Sequence, residues 1–346
     1  MKAIVYHGPM DLRYEEVSDP MADAGEVLLR PMFTGICATD IEKWQHGGRG
    51  GISGEKAPVI PGHETNGQVE SVGLGVKGFA RGDRVMVNNV WPCGACFWCR
   101  RGQHSVCPRQ QNCGLTTDGG LAELMKWPAS QLIRLPDSVE HDEAALIEPT
   151  TVAVRAVRRS GVKVGDRVAV VGCGTVGLLV LQVLKAAGAV VTALDVRAQS
   201  LDMATRLGAD HTVVSNSPDA GSQLLDLTGG IGHDVVVETA GAPTTARLSI
   251  NWTRRGGTTV LVGGTSESPP MNFSEIVGPE KTVVGSVAAG TGDMQIAVDL
   301  VARKLVDTRP LITARIPLAR GIEEGFNRML KPEKDVFRIL IQPNKP

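Results

Sequence analysis

Arg167-Val168-Ala169-Val170-Val171-Gly172-Cys173-Gly174-Thr175-Val176-Gly177 is a short apolar strand that runs straight into Gly-x-Gly-x-x-Gly, with a helix-patterned stretch to Ala187 behind it. The glycine spacing alone carries little weight. Its context carries more: a strand stands in front, a helix behind, and an acidic residue, Asp195, closes the next apolar run about 20 residues on, as a dinucleotide-binding βαβ unit requires. In that reading Gly172 makes the turn, Gly174 lets the backbone approach a pyrophosphate, and Gly177 lets helix and strand pack closely. Thr175 and Val176 open the helix with Gly177, and the partial positive charge of its N-terminus faces the phosphates. Asp195 suits the hydroxyls of an adenosine ribose and repels a phosphate there, which favours NAD over NADP. Arg197 argues the other way, since it could pair with such a phosphate. The plainer alternative is a loop whose glycines only turn the chain, with Asp195 a solvated charge at a strand end.

Outward from this unit, further apolar runs alternate with helical stretches: Val190–Leu194, Thr212–Val214, Val235–Val237, Thr258–Val262 and Thr282–Val287. Together with Arg167–Val171 they make six strands with helical crossovers, hence a parallel, doubly wound α/β sheet. Before about Thr150 the chain is rich in glycine and proline, with short β-type runs at Glu26–Arg30, Val59–Ile60, Gly67–Val72 and Arg84–Val87, which reads as a β-rich domain. After Ala288 come a helix near Met294–Arg303, a strand near Leu311–Ile316, a helix near Gly321–Leu330 and a strand Val336–Ile341. This tail is too short for a domain of its own and is expected to return to the first. The 346 residues suit two domains, placed at 1–153 and 154–287 with the return at 288–346. Charge is balanced, 36 Lys and Arg against 37 Asp and Glu, which offers nothing to nucleic acid. Met1–Pro9 lacks the apolar core of a signal peptide, and Val168–Leu181 is too short to span a bilayer. Neither export nor a membrane is expected, and the protein reads as cytoplasmic.

A second informative stretch is Cys93-Gly94-Ala95-Cys96-Phe97-Trp98-Cys99, with Cys107 beyond it. Two-residue gaps let thiolates converge on one ion. Four cysteines fill a tetrahedral zinc site and leave no position for a substrate, so this lobe, residues 91–108, reads as structural. An iron–sulfur cluster is a rival that Cys107-Pro108 favours and the long last gap disfavours. Disulfides are another, unsuited to a reducing compartment. Cys113 and Cys173 are left as free thiols.

Three other segments carry residues suited to an open zinc site: Cys37-Ala38-Thr39-Asp40, Gly62-His63-Glu64 and Glu148-Pro149. Cys, His and Glu as protein ligands leave the fourth position for water or substrate, as a catalytic zinc needs. Each segment has a plainer reading. His63 suits an ordinary loop histidine, and Thr39 with Glu42 suits a capping box. Glu148 stands where Pro149 opens a helix, although glutamate is not a favoured cap.

Taken together, Cys37-x-Thr39-Asp40, Gly62-His63-Glu64-x-x-Gly67-x5-Gly73, the four-cysteine lobe and the later Gly-x-Gly-x-x-Gly stand in an order that resembles the zinc-dependent medium-chain alcohol dehydrogenases over nearly the whole chain. The resemblance implies a GroES-like catalytic domain, a Rossmann coenzyme domain and a cleft between them, with two zinc ions per subunit. It assigns Cys37, His63 and Glu148 to the catalytic zinc, makes Glu64 a neighbouring carboxylate able to swap onto the metal, and gives Cys93, Cys96, Cys99 and Cys107 to the structural zinc. The implied chemistry is a Lewis acid acting on the alcohol oxygen while hydride leaves carbon for nicotinamide. By the same resemblance Thr39 hands the alcohol proton through the cofactor ribose toward a histidine five positions after the cysteine ligand. This chain has Glu42 there, which leaves His46 or water for that task.

The stretch from Cys37 to Gly47 most resembles the branch acting on polyols, secondary alcohols and threonine. Lys43 falls where polyol enzymes carry an aromatic wall residue, and it points to a more polar or acidic substrate. The expected reaction is reversible oxidation of a secondary alcohol or polyol with NAD, a small-molecule substrate. A primary alcohol or aldehyde is the first rival. A zinc-free quinone or enoyl reductase and a non-catalytic nucleotide-binding protein are others, and neither has a use for the metal residues. The resemblance further implies that the far edge of the coenzyme sheet, at Met271–Phe273 and Thr282–Val287, pairs with a second copy, giving a homodimer and then a homotetramer.

Overall fold

The computed structural model describes residues 1–47, 57–264, 267, 271–290, 292–331 and 336–345. The chain forms two compact units, one comprising Met1–Glu148, Ala289–Ala302 and Thr308–Pro346, the other Pro149–Ala288 and Arg303–Asp307. The first unit opens with β1 (Lys2–Gly8) and β2 (Asp11–Glu16), an antiparallel hairpin, followed by β3 (Glu26–Gly35), β4 (Glu64–Val72) and β5 (Arg84–Val87). The short β6 (Val90–Trp91) pairs with β7 (Gln111–Asn112), and β8 (Met125–Pro128) and β9 (Leu132–Arg134) complete the segment. The second unit holds β10 (Arg167–Val171), β11 (Val190–Asp195), β12 (His211–Val214), β13 (His233–Glu238), β14 (Thr253–Leu261) and β15 (Thr282–Gly285). The tail adds β16 (Ile312–Pro317) and β17 (Arg338–Gln342).

The second unit's sheet runs β12-β11-β10-β13-β14-β15 with every neighbouring pair parallel. In β10 the four residues Val168 to Val171 are all buried, so the strand is apolar without alternation, as a strand covered on both faces must be. The strand order reverses beside β10. The loop after β10 therefore emerges at the switch point where open parallel sheets bind ligands.

In the first unit a seven-stranded sheet runs β16-β17-β3-β4-β5-β9, with β8 alongside β3. The tail enters this sheet directly: β17 lies antiparallel to β3, with Leu340 opposite Gly35 and Ile341 opposite Thr34. Ile339 and Ile341 then share a core with Ile4, Ile36, Trp44 and Phe326. The Trp44 and Phe326 rings meet edge to face at 5.7 Å. Burial of such large apolar side chains contributes roughly 1.5–3 kcal/mol each, which holds the tail in place.

Three local expectations are corrected. Val59–Ile60 is not a strand but a single bridge from Val59 to Tyr6. The helix expected at Gly321–Leu330 is a π-helical stretch, Gly321–Phe326, running into a short α-helix, Asn327–Leu330. Met271–Phe273 does not join the sheet edge and instead leads into the helix Ser274–Val277, which leaves β15 as the edge strand among the described residues. Among the described residues no helix is long and apolar enough to cross a membrane.

Candidate functional site

In the first unit, Cys37 follows β3 and opens the helix Ala38–His46, while His63 and Glu64 stand at the start of β4. Glu148 sits in the first turn of the helix Ile147–Ser160. Asp40 sets where the first helix begins: its Oδ2 accepts the Cys37 N–H at 2.9 Å. The capping box thus pairs Cys37 with Asp40 rather than Thr39 with Glu42, because Asp40 is the third helical residue and its carboxylate reaches back to the cap. The second Asp40 oxygen, Oδ1, lies 3.5 Å from His63 Nδ1.

Ligand atoms of Cys37, His63 and Glu64 lie within 4.8 Å of one another. Glu148 stands outside this group, its Oε1 accepting from Asn89 Nδ2 at 2.9 Å. The structure therefore draws Glu64 into the cluster where Glu148 was expected, and strand register gives the reason. Glu64 is opposite Gly35 in the β3–β4 ladder, and a Cβ at Gly35 would collide with Glu64 Oε2. The missing side chain leaves the carboxylate room to turn toward Cys37. Arg338 of β17 holds the other side, with Nη1 3.0 Å from Glu64 Oε1 and donating to the Ile36 carbonyl at 2.7 Å.

The electrostatics of this cluster favour a cation. Burial opposes charge on His63, yet the Asp40 carboxylate, followed by Cys37, holds its pKa well above the usual value. Burial pushes Glu64 up against the pull of Arg338, and it lifts Glu148 to about 7 against the pull of His63. Glu64 Oε2 is buried with neither a hydrogen bond nor an ion pair, and Asp40 Oδ1 and His63 Nδ1 meet each other only at 3.5 Å. Buried polar atoms left this way need a partner. A thiolate, an imidazole and a carboxylate within one ion's reach have the chemistry of a zinc site.

The neighbours of the cluster divide sharply. Thr39 Oγ1 lies 3.6 Å from Cys37 Sγ, on the same turn. His46 is exposed at the far end of that helix, and Glu42 is half-buried. Lys43 is buried: its Nζ donates to the Leu115 carbonyl at 2.8 Å and lies 5.2 Å from the Tyr6 ring centre. Its charge is engaged inside the fold, which corrects the expectation that it selects an acidic substrate.

In the four-cysteine lobe, Cys96 Sγ is 3.4 Å from Cys99 Sγ and 3.7 Å from Cys107 Sγ, and Cys93 and Cys99 are 4.0 Å apart. Thiolates about 2.3 Å from a tetrahedral zinc stand about 3.8 Å from one another, whereas a disulfide needs about 2.05 Å. All seven cysteines are free thiols, and both Cys113 and Cys173 are buried. The Ala95 N–H chiefly holds the Cys93 thiol down at about 6, which favours a thiolate near neutral pH.

In the coenzyme unit, Gly172 has φ 94°, a left-handed turn, and a Cβ there would press on the Ala240 backbone. A Cβ at Gly177 would collide with the Gly172 carbonyl, so that glycine closes helix onto strand. A Cβ at Gly174 would meet nothing within 4 Å. Packing within the protein gives no reason for glycine at 174, whereas a ligand approaching the cap of the helix Thr175–Ala186 would. Asp195 Oδ2 accepts the Cys173 N–H at 2.7 Å, and Oδ1 accepts the Arg197 N–H at 2.9 Å and its Nε at 3.2 Å.

The spacing of Asp40 from Cys37 is legible in the sequence, but its capping of the helix and its approach to His63 are not. Asn89 and Arg338 carried no local signal, because each meets its carboxylate across a long sequence separation.

Comparison with known proteins agrees with this geometry. Residues 23–137 match the family described as alcohol dehydrogenase GroES-like domain, and residues 175–303 match zinc-binding dehydrogenase. The chain is 34% identical to (R,R)-butanediol dehydrogenase of Bacillus subtilis (strain 168), covering 99% of this chain and 100% of that protein. The crystal structure of 2R,3R-butanediol dehydrogenase from Bacillus subtilis superimposes with a TM-score of 0.91 at 33% identity, over 99% of both chains. Human sorbitol dehydrogenase is 35% identical over 95% of this chain and 93% of its own length. A Sinorhizobium meliloti 1021 protein solved bound to NADP has a TM-score of 0.90 at 29% identity, over 99% of both chains. The chain therefore belongs to the zinc-dependent medium-chain alcohol dehydrogenase family, as an oxidoreductase acting on alcohols.

Proposed function

We propose that this enzyme reversibly oxidises a secondary alcohol or polyol with NAD, using one zinc ion held by Cys37, His63 and Glu64 and a second held by Cys93, Cys96, Cys99 and Cys107. The observation that carries the proposal is the convergence of Cys37, His63 and Glu64 beside Thr39, in a chain whose relatives include a butanediol and a sorbitol dehydrogenase. A zinc ion at the first site supplies a Lewis acid that eases loss of the alcohol proton and stabilises negative charge as hydride departs.

The chain's own residues do the rest. Asp40 caps the helix that presents Cys37 and faces His63, orienting two ligands at once. Arg338 counters the Glu64 charge from the opposite side. Thr39, beside Cys37 in the cluster, accepts the substrate proton, and His46 further along the same helix or water takes it outward. Gly172, Gly174, Thr175, Val176 and Gly177 receive the pyrophosphate at the helix N-terminus. Asp195 receives the adenosine ribose and disfavours a phosphate on it, so NAD is preferred to NADP.

Reduced thiols in the lobe suit the cytoplasm. Self-association is supported by β15 as an edge strand, with Phe273, Val277 and Val287 exposed nearby. The test is a screen of secondary, polyol and primary alcohols with NAD and NADP, with metal counted on the same preparation. Two zinc ions and the highest kcat/KM on a secondary alcohol or polyol with NAD are expected. His63→Ala should lose one zinc and all turnover while still binding NADH by fluorescence. Full turnover with one metal ion per chain, or an active His63→Ala enzyme, would reject the assignment.

A further inference from the structure

Two buried carboxylates stand near one metal position, and each is tethered by a different residue. Glu64 is held by Arg338 at 3.0 Å, and Glu148 by the Asn89 amide at 2.9 Å. Glu148 is buried in the same neighbourhood although it stands outside the ligand cluster: the Asn89 that holds it accepts the Cys113 N–H at 3.0 Å, and Cys113 Sγ lies 3.6 Å from the Gly62 carbonyl, next to His63.

Asn89 is built to stay where it is. It lies in the two-residue link between β5 and β6, and its backbone carbonyl accepts the Cys113 N–H at 3.0 Å. Its neighbour Asn88 is fixed three ways: its N–H donates to the Gln131 carbonyl at 2.9 Å, its side chain donates to Gln131 Oε1 at 3.0 Å, and its own carbonyl accepts from Trp127 Nε1 at 2.9 Å. Asn89 is buried, and its Oδ1 has no hydrogen-bond partner. A buried amide that leaves one end unsatisfied while donating from the other is costly to keep for packing alone. The Glu148 contact is the return.

We propose that Asn89 is a positioning residue, latching Glu148 back from the metal so that Glu64 is the third ligand and the fourth position stays open to the alcohol. The inference rests on the metal site proposed above. A metal bound by four protein groups is closed, as structural sites are, whereas three ligands leave room for a substrate. In this chain the choice between the two states passes through one amide hydrogen bond.

The experiment compares wild type, Asn89→Leu, Glu148→Gln and Asn89→Leu/Glu148→Gln, each loaded with zinc and, separately, with cobalt(II) at the same site. In Asn89→Leu the freed carboxylate joins the metal. Zinc loss to a chromogenic chelator should slow about tenfold, the size of effect that residues behind metal ligands exert. The cobalt absorption bands should change and the KM for alcohol should rise. Adding Glu148→Gln should return all three toward wild type, which a merely structural role for Asn89 would not do. An unchanged cobalt spectrum and zinc release in Asn89→Leu would overturn the latch, as would changes that persist in the double variant. If Asn89→Leu does not fold, Asn89→Ser, too short to make the contact, gives the same reading, and zinc in the four-cysteine lobe reports the folded fraction. His63→Ala separates the two levels: loss of one zinc there, together with no effect of Asn89, rejects the latch alone, whereas retention of both zinc ions rejects the site and the latch with it.

Discussion

Arg338→Met tests what the returning tail contributes to the metal site. In the wild type the guanidinium stands 3.0 Å from Glu64 Oε1 and donates to the Ile36 carbonyl at 2.7 Å, with both side chains buried. Methionine keeps much of the volume and removes the charge, so the loss falls chiefly on what is left behind. Breaking a buried pair by removing one partner costs about 3–5 kcal/mol, because the remaining charge has no counter-ion. In a domain of 150–250 residues each kcal/mol moves Tm by about 2–4 °C, so metal-stripped Arg338→Met should melt about 10 °C below metal-stripped wild type at pH 8. The pH dependence has a definite sign. Burial already holds Glu64 above the usual carboxylate range and Arg338 opposes that rise, so removing Arg338 lifts the folded-state pKa further. A group whose folded pKa lies above its unfolded value contributes stability below the unfolded pKa and loses it as pH rises through the folded pKa. The deficit should therefore be smallest in mild acid, where Glu64 is protonated and neutral, and should widen as pH climbs. Calorimetric melting from acid to pH 8 measures both features. A Tm within about 2 °C of wild type at pH 8 would refute the reasoning, as would a deficit that widens toward acid.

Three other outcomes are expected. Cys99→Ser should lower the zinc content by one ion per chain and lower Tm, because structural metal binding contributes folding free energy; elemental analysis that finds iron in wild type would reject the lobe's assignment. Asp195→Ser should shift kcat/KM toward NADP by removing the repulsion at the ribose and freeing Arg197 from its 3.2 Å contact, and a wild-type preference for NADP would contradict it. Light scattering at micromolar concentration should give twice or four times 36.6 kDa through pairing at β15, and a monodisperse species at 36.6 kDa would exclude that interface.

Much of the fold is written locally. Runs such as Arg167–Val171 and Val190–Leu194 are apolar because both faces of a parallel strand are covered, and that pattern can be read without knowing what covers them. The thiolate spacing of Cys93, Cys96 and Cys99 is legible for the same reason, since one short loop supplies three of the four ligands. The hairpin of β1 and β2, and β8 beside β3, are harder to read. Their registers depend on partners elsewhere; β2 is largely exposed with a weak alternation, and β8 is only four residues long.

For the candidate metal centre, the sequence by itself named Cys37, Thr39, His63, Glu64 and Glu148, because residue chemistry and order along the chain are properties of the sequence alone. Which carboxylate faces Cys37 and His63 was decided only in three dimensions. Glu64 turns inward because Gly35 lies opposite it across the β3–β4 ladder, and Arg338 reaches it from a strand at the other end of the chain. Glu148 is held aside by Asn89, from a link between two strands. Lys43, which the family resemblance placed toward the substrate, is instead committed to Leu115 and Tyr6. Each of these outcomes depends on contacts between residues far apart in sequence, which leave no periodic or spacing signal. Their energies belong to the register and burial that the folded chain imposes.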